Sequence, residues 1–320
     1  MRIIFMGTPD FSVPTLESLI ASRHEVIAVV TQPDKPKGRG KEVQMTPVKE
    51  KALEHGILVY QPARAREASF VEEMRRLAPD VMVVIAFGQI LSKELLDVPR
   101  LGCINIHASL LPKYRGAAPI QWAVINGDRE TGITTMMMDV GMDTGDMLEK
   151  LVVPLEKKET GGSLFDKLSL LGGDLILSTL EKLEAGTLVR TPQNHDEATH
   201  VKKIDKAMGE IDWTMDAAAI ERLIRGLTPW PSAYTHWNGK MLKIWDADVE
   251  QDRAGETDGA GTGTAEERLP GQVLTASGDS IRVQTGRGVL NIRSLQLEGK
   301  KRMDTASFLR GYPVEAGYRF

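Results

Sequence analysis

An α/β fold with a mostly parallel sheet, followed by a small all-β domain, is what this sequence predicts, on two observations. Through about residue 190, short apolar runs alternate with helical patterns, the mark of βαβ units and a Rossmann-like sheet. From Gly209 onward the pattern changes to short strands separated by Gly, Asn and Asp turns, which suits a small barrel. Between them, Pro192 and several polar residues show no clear period and read as a linker. The expected division is a domain over 1–190, a linker over 191–208 and a domain over 209–320.

Taken in order, the expected strands of the first domain are Arg2–Met6, Val26–Thr31, Val81–Ala86, Gly102–His107 and Thr134–Met138. Ser12 is placed to cap the first helix, and Pro14 fits its opening turn. Met136–Met138 is read as core strand, with flexible side chains that can also line an apolar pocket. Leu164, Leu168, Leu171, Leu175 and Leu180 mark an amphipathic helix over Ser163–Glu184 that closes the domain. In the second domain, Asn238-Gly239 between Ala233–Trp237 and Met241–Trp245 is a strong hairpin signal. Gln272–Leu274, Ser280–Thr285 and Gly288–Ile292 continue the strands. Gln251–Arg268, rich in Gly, Thr, Ala and acids, is expected to be a mobile acidic loop that does not itself grip RNA.

Composition bounds the function. At 320 residues the chain is long enough for two domains, since single cores seldom grow past ~250–300 residues. With 42% hydrophobic and 26% charged residues it reads as an ordinary soluble protein. One cysteine excludes an internal disulfide and suits a reducing compartment. No apolar run approaches the ~20 residues of a membrane span. Met1–Gly7 already reads as a strand entering a turn, so no leader peptide and a cytoplasmic location are expected. A net charge of −4 argues against generalised nucleic-acid binding and leaves any RNA contact to local patches.

Chemistry concentrates where an apolar strand ends in polar residues, Gly102–His107. Alternation puts Ile104 and Ile106 on one face and Asn105 and His107 on the other. An amide and an imidazole side by side suit polarising a carbonyl and moving a proton, although a hydrogen-bonded structural His is the plainer meaning of one such residue. Strand ends of open parallel sheets are also where ligands bind. Met138–Asp146 then brings three acids and two glycines in one loop, and a carboxylate beside an imidazole orients it and favours its charged form. Cys103 shares the face of Asn105 and His107, which admits a thioester-forming thiol, although a small buried residue is its ordinary meaning. Gly38-Arg39-Gly40 lacks the third glycine of a dinucleotide fingerprint and reads as a flexible loop carrying Lys35, Lys37, Arg39 and Lys41. His24, His55, His195, His200 and His236 have no mutual metal-ligand spacing.

Asn105, His107 and Asp143, with Ser109–Pro112 and Tyr114–Pro119 between them, resemble the Asn/His/Asp site of the folate-dependent formyltransferases. Phe5–Phe11, Thr31–Lys41, Ala86–Leu91 and Leu227–Tyr234 carry the likeness nearly end to end, closest to the members that act on methionyl-tRNA. The resemblance implies a catalytic domain followed by an OB-like, tRNA-binding barrel. It implies transfer of the formyl group of 10-formyltetrahydrofolate to the α-amine of methionyl initiator tRNA, for translation initiation. Asn105 and protonated His107 would stabilise the oxyanion, and Asp143 would support His107 and move protons, with no metal and no covalent intermediate. The folate walls would be Ser109, Leu110, Leu111 and Pro112, then Phe87, Gly88, Gln89, Ile90 and Leu91, then Asp139, Val140 and Gly141. Lys35, Lys37, Arg39 and Lys41 would grip the tRNA acceptor end, Arg39 foremost, because guanidinium both forks to phosphate and stacks on bases. A monomer that does not touch membranes is expected. The competing readings are a small acceptor or water in place of tRNA, and a catalytically silent tRNA-binding protein. The basic loop, the barrel and Leu227–Tyr234 weigh against the first, and the intact Asn/His/Asp set against the second.

Overall fold

Apolar runs too short for helices, bounded by Gly, Pro and Asp, become the strands of a central sheet. The computed structural model describes residues 1–37, 42–250 and 268–320. The expectations for Arg39, Lys41 and nearly all of the 251–268 segment lie outside the described residues. Two compact units are formed: Met1–Pro119, Glu130–Pro154 and Ser163–Lys202 make the first, and Ile120–Arg129, Leu155–Gly162 and Lys203–Phe320 the second.

The chain opens with β1 (Arg2–Gly7), α1 (Val13–Ala21), β2 (Glu25–Val30) and the short paired strands β3 (Lys35–Lys37) and β4 (Glu42–Gln44). There follow α2 (Pro47–Glu54), β5 (Leu58–Tyr60), α3 (Ala68–Leu77), β6 (Val81–Ile85), α4 (Lys93–Leu96), β7 (Cys103–His107) and β8 (Arg115–Gly116). After α5 (Pro119–Asn126) come β9 (Glu130–Met137), β10 (Met147–Pro154), α6 (Gly161–Glu184) and β11 (His200–Val201). The seven-stranded sheet has the order β10-β9-β7-β6-β1-β2-β5. Its strands from β7 to β5 run parallel, and β9 and β10 each pair antiparallel with their neighbours. The order reverses beside β1, so the turns after β1, β6 and β7 open on one edge, where such sheets take ligands.

One face of the sheet carries Ile85 and Ile106, each 3.8 Å from where a Cβ on Gly172 of α6 would stand. The same Cβ would stand 2.7 Å from the Thr15 hydroxyl of α1, so the glycine lets the two helices close on this face. On the other face Met82, Val84 and Cys103 share a core with Phe70, Val71 and Met74 of α3 and Leu95 of α4. All five expected strands are present. The sequence pattern missed β5, which is only three residues long, and β10, an edge strand whose exposed and half-buried residues dilute the apolar signal. Ser12 does stand at the first residue before α1, but its hydroxyl donates to the Ile85 carbonyl at 2.9 Å instead of capping the helix. A tie to the neighbouring strand wins over a local cap.

The second unit contains α7 (Ala217–Gly226), β12 (Ala233–Trp237), β13 (Lys240–Glu250), β14 (Val273–Ser277), β15 (Ser280–Gln284), β16 (Val289–Leu297), β17 (Met303–Asp304) and α8 (Thr305–Gly311). Asn238 and Gly239 both take positive φ in the two-residue turn that pairs Trp237 with Lys240, as a tight hairpin demands. The strands run β12-β13-β16-β15-β14, with β17 on β16. The sheet is antiparallel throughout, and among the described residues no pairing joins β12 to β14. Its core sets Ile220 and Ile224 of α7 and Phe308 of α8 against Trp237, Ile244, Leu290 and Ile292. Neither helix was expected among the short strands. Among the described residues, no helix is long and apolar enough to cross a membrane.

Candidate active site

Strand β7 is buried at four of its five residues, and the exception is Asn105, whose half-exposed side chain leaves the face occupied by Val84 and Met136. Ile104 and Ile106 are buried on the opposite face. Cys103 is 1% exposed inside the core, and burial pushes its thiol up to about 12. A thiol held that far from ionisation is no nucleophile, which removes the thioester route.

His107 sits at the strand end, 7% exposed, and its Nε2–H donates to the Tyr114 carbonyl at 2.9 Å. That commitment turns Nδ1 toward Asp143, whose Oδ1 lies 3.8 Å away. The other carboxylate oxygen of Asp143 accepts the Gly116 N–H at 2.8 Å. The carboxylate arrives by an indirect path. Met137 pairs with Ile104, so the β9–β10 connection departs beside the start of β7. It must turn back across roughly 10 Å of strand, at ~3.3 Å per residue, to reach His107. Ala86, Tyr114, Ala118 and Asp143 in these connections all have positive φ. That conformation costs a side-chain-bearing residue about 1–2 kcal/mol, and such strain collects at sites where backbone direction serves function.

The Ser109–Pro112 turn is fixed from below. Thr134 Oγ1 donates to the Ser109 carbonyl at 2.7 Å and accepts the Leu111 N–H at 3.2 Å. Lys150 donates to the Leu111 carbonyl at 2.6 Å, and burial holds its ammonium below the usual lysine range. Ser109 is buried, with its hydroxyl on the Lys113 carbonyl, and Leu111 is core, while Leu110 and Pro112 are half-buried. Of the Phe87–Leu91 group, Phe87 and Leu91 are core, Gly88 is exposed, and Ile90 is 80% exposed. Both ends of the Gln89 amide are engaged, at 2.7 Å with the Ala65 N–H and 3.1 Å with the Pro62 carbonyl. Asp139 tightens its own loop by accepting from Gly141 N–H and the Thr144 hydroxyl, and leaves Val140 70% exposed. Thr134, Lys150 and Gln193 (which contacts the Asp143 loop) were missed by sequence reasoning. Single polar residues without a pattern carry no local signal.

Lys35 is exposed on β3, and Lys37 lies on the same strand. The segment just before them is anchored: Asp34 meets Lys49 at 2.5 Å and the Gln61 amide at 2.7 Å. These hydrogen bonds hold the Asp34 carboxyl below the usual range. Among the described residues, no group of three or more His, Cys, Asp or Glu is arranged to hold a metal ion.

A family model described as formyl transferase matches residues 1–180, and one described as formyl transferase, C-terminal domain, matches 203–313. A methionyl-tRNA formyltransferase of Agathobacter rectalis is 59% identical, over 100% of this chain and 99% of its own. One of Geobacter sulfurreducens is 51% identical over 100% and 96%, and one of Clostridioides difficile 47% identical over 99% and 99%. Among solved structures, an N-formyltransferase from Helicobacter canadensis in complex with folinic acid and dTDP-3-aminofucose aligns with a TM-score of 0.66 at 17% identity, over 91% of this chain and 99% of its own. HypX from Aquifex aeolicus in complex with tetrahydrofolic acid aligns with a TM-score of 0.62 at 19% identity, over 100% of this chain but 51% of its own. At such identities these two show the fold alone. With both domain models matched and relatives this similar along the whole length, the chain belongs to the formyl transferase family, among its methionyl-tRNA formyltransferases.

Proposed function

We propose that the chain transfers the formyl group of 10-formyltetrahydrofolate to the α-amine of methionyl initiator tRNA. The observation that carries this reading is the approach of Asp143 to His107 in a chain 59% identical, end to end, to a methionyl-tRNA formyltransferase. The folate is a co-substrate whose N10 supplies the activated formyl group. Exposed Ile90 and Val140, on the loops that follow β6 and β9, and the backbone groups of Ser109–Pro112, which follow β7, suit a flat ring with polar edges.

The residues divide the work by what each has free. Asn105 donates its amide N–H to the formyl oxygen as that oxygen gains charge. His107 has Nε2–H committed to Tyr114, so Nδ1 serves the same oxygen or exchanges a proton with Asp143. Asp143, steadied through Oδ2 by Gly116, takes the proton that the attacking amine loses as it bonds to the formyl carbon, and that proton passes to N10 as the bond between the formyl carbon and N10 breaks and tetrahydrofolate leaves, directly or through water. An α-amine titrates near ~8, so part of the substrate arrives protonated and needs this help.

The basic residues Lys35, Lys37, Arg39 and Lys41 grip the acceptor end, and the Asp34–Lys49–Gln61 anchor holds the segment just before them. The functional division is a catalytic domain over 1–190, a linker over 191–208 and an OB-like tRNA-binding domain over 209–320. The test is formyl transfer to charged methionyl initiator tRNA, run beside Asp143→Ala and Arg39→Ala. Asp143→Ala is expected to lower kcat by about 10²-fold or more. Arg39→Ala is expected to raise KM for tRNA about tenfold while sparing kcat. Absence of transfer by the wild type, with folate still bound, sinks the reading in favour of a small acceptor.

A further inference from the structure

Resting on the role given to Asp143 above, we propose that Gln193 is a positioning residue whose side-chain amide, anchored on Arg115, holds the Asp143 loop against His107. Gln193 falls in the polar stretch that the sequence marks as linker, yet it is 6% exposed. Its amide nitrogen donates to the Asp143 and Gly145 carbonyls, each at 2.8 Å. Its amide oxygen accepts from Arg115 Nε at 3.0 Å and Nη2 at 2.7 Å. The remaining guanidinium nitrogen, Nη1, meets His195 Nδ1 at 3.2 Å. A guanidinium only donates and a carbonyl only accepts, so the amide has one workable orientation and spends all four of its hydrogen-bonding positions.

This makes β8 grip Asp143 twice. Gly116 holds the carboxylate by its N–H at 2.8 Å, while Arg115, 3% exposed, holds the backbone of Asp143 through Gln193. Asp143 has φ 54, a conformation that an untethered loop readily abandons. The tether is itself fastened: Thr199 accepts the Arg115 N–H through its carbonyl and the Tyr114 N–H through its hydroxyl, both at 2.8 Å, as β11 pairs with β8. The stretch from Gln193 to Val201 is thereby part of the site's frame. A shift of ~1 Å in a reacting group can cost ~10²-fold in rate, which is the scale at which a tether matters.

Gln193→Glu and Gln193→Met in the full chain separate positioning from packing. Glu keeps oxygens for Arg115 and turns a carboxylate on two carbonyls; Met keeps the length and neither bond. The Glu variant retains a partner for the buried guanidinium and so preserves the fold that Met puts at risk. Three things are measured: formyl-transfer kinetics, thermal unfolding, and hydrogen exchange at the Gly116 amide, which reports whether Asp143 is still in place. In both variants kcat is expected to fall about 10²-fold with KM for tRNA changed less than about twofold, and Gly116 exchange to quicken about tenfold. A Gln193→Glu enzyme with wild-type kcat and slow Gly116 exchange overturns the proposal and leaves Gln193 as packing for Arg115. Lack of transfer by the wild type would overturn the functional reading instead. Quickened Gly116 exchange in Gln193→Glu would then still uphold Gln193 as the tether of Asp143, and unchanged exchange would overturn it.

Discussion

His107 is defined by what its two nitrogens face. Nε2–H is spent on the Tyr114 carbonyl, and Nδ1 looks at a carboxylate 3.8 Å away. His107→Asn is therefore expected to lose about 10²–10³ in kcat at saturating substrates, the usual cost of removing one oxyanion donor, with binding of tRNA retained. Cys103 makes the opposite prediction. Burial pushes its thiol up to about 12, so the thiolate that a thiol reagent attacks is scarce at pH 8. Native protein should resist a thiol reagent and be labelled only on unfolding, and Cys103→Ala should keep kcat within about twofold. The shared face of Asn105 and His107 was legible from alternation alone, because a strand has a fixed period of two. Nearness of Asp143 was not, since it depends on a loop turning back over an antiparallel neighbour.

Elements hold these residues through a few tight contacts. A Cβ on Gly116, at φ 101, would stand 2.7 Å from the Val201 carbonyl oxygen. Gly116→Ala should strain the β8–β11 pairing by about 2 kcal/mol or more in urea unfolding and lower kcat, because the same residue anchors Asp143. Strand β10 and helix α6 are joined through Glu149. Burial pushes its carboxyl up, but hydrogen bonds from Lys182, Thr179 and Ser178 outweigh burial and leave it below the ordinary value of 4.5. A depressed carboxyl stabilises the folded state above that ordinary value, and the contribution fades as pH falls through the depressed one. Melting temperature should thus drop below about pH 4.5 more steeply in the wild type than in Glu149→Gln. The helix over Ser163–Glu184 announced itself by leucine spacing, whereas β10 did not, because an edge strand needs few apolar residues.

At the scale of the whole molecule, the two units are interleaved along the chain. Within the second, Arg222 donates to the Ile125 carbonyl at 3.1 Å and Arg225 to the Glu159 carbonyl at 2.8 Å. Lys158 pairs with Asp246 at 3.2 Å and Asp248 at 2.9 Å. A fragment of residues 203–320 would keep these arginines and acids and lose their partners. It is expected to melt below the corresponding transition of the full chain, and adding back residues 1–202 as a separate piece should not restore it. Circular dichroism of the fragment and the full chain checks this. A fragment as stable as the intact unit would show that residues 120–129 and 155–162 add nothing to it.

The amino-acid sequence by itself determined the α/β character of the first unit, its five main strands and the pairing of Asn105 with His107, because period and turn chemistry are local properties. It also carried the family, through motifs spread over the whole length. Only the tertiary structure decided how Asp143, the acid that the family resemblance names, comes within 3.8 Å of the imidazole, which nitrogen of His107 is free, and that Gln193 belongs to the frame of the site. The His107–Asp143 and Arg115–Gln193 contacts join residues 36 and 78 positions apart, and no local preference encodes a distance that the packing of a sheet and its returning loops creates.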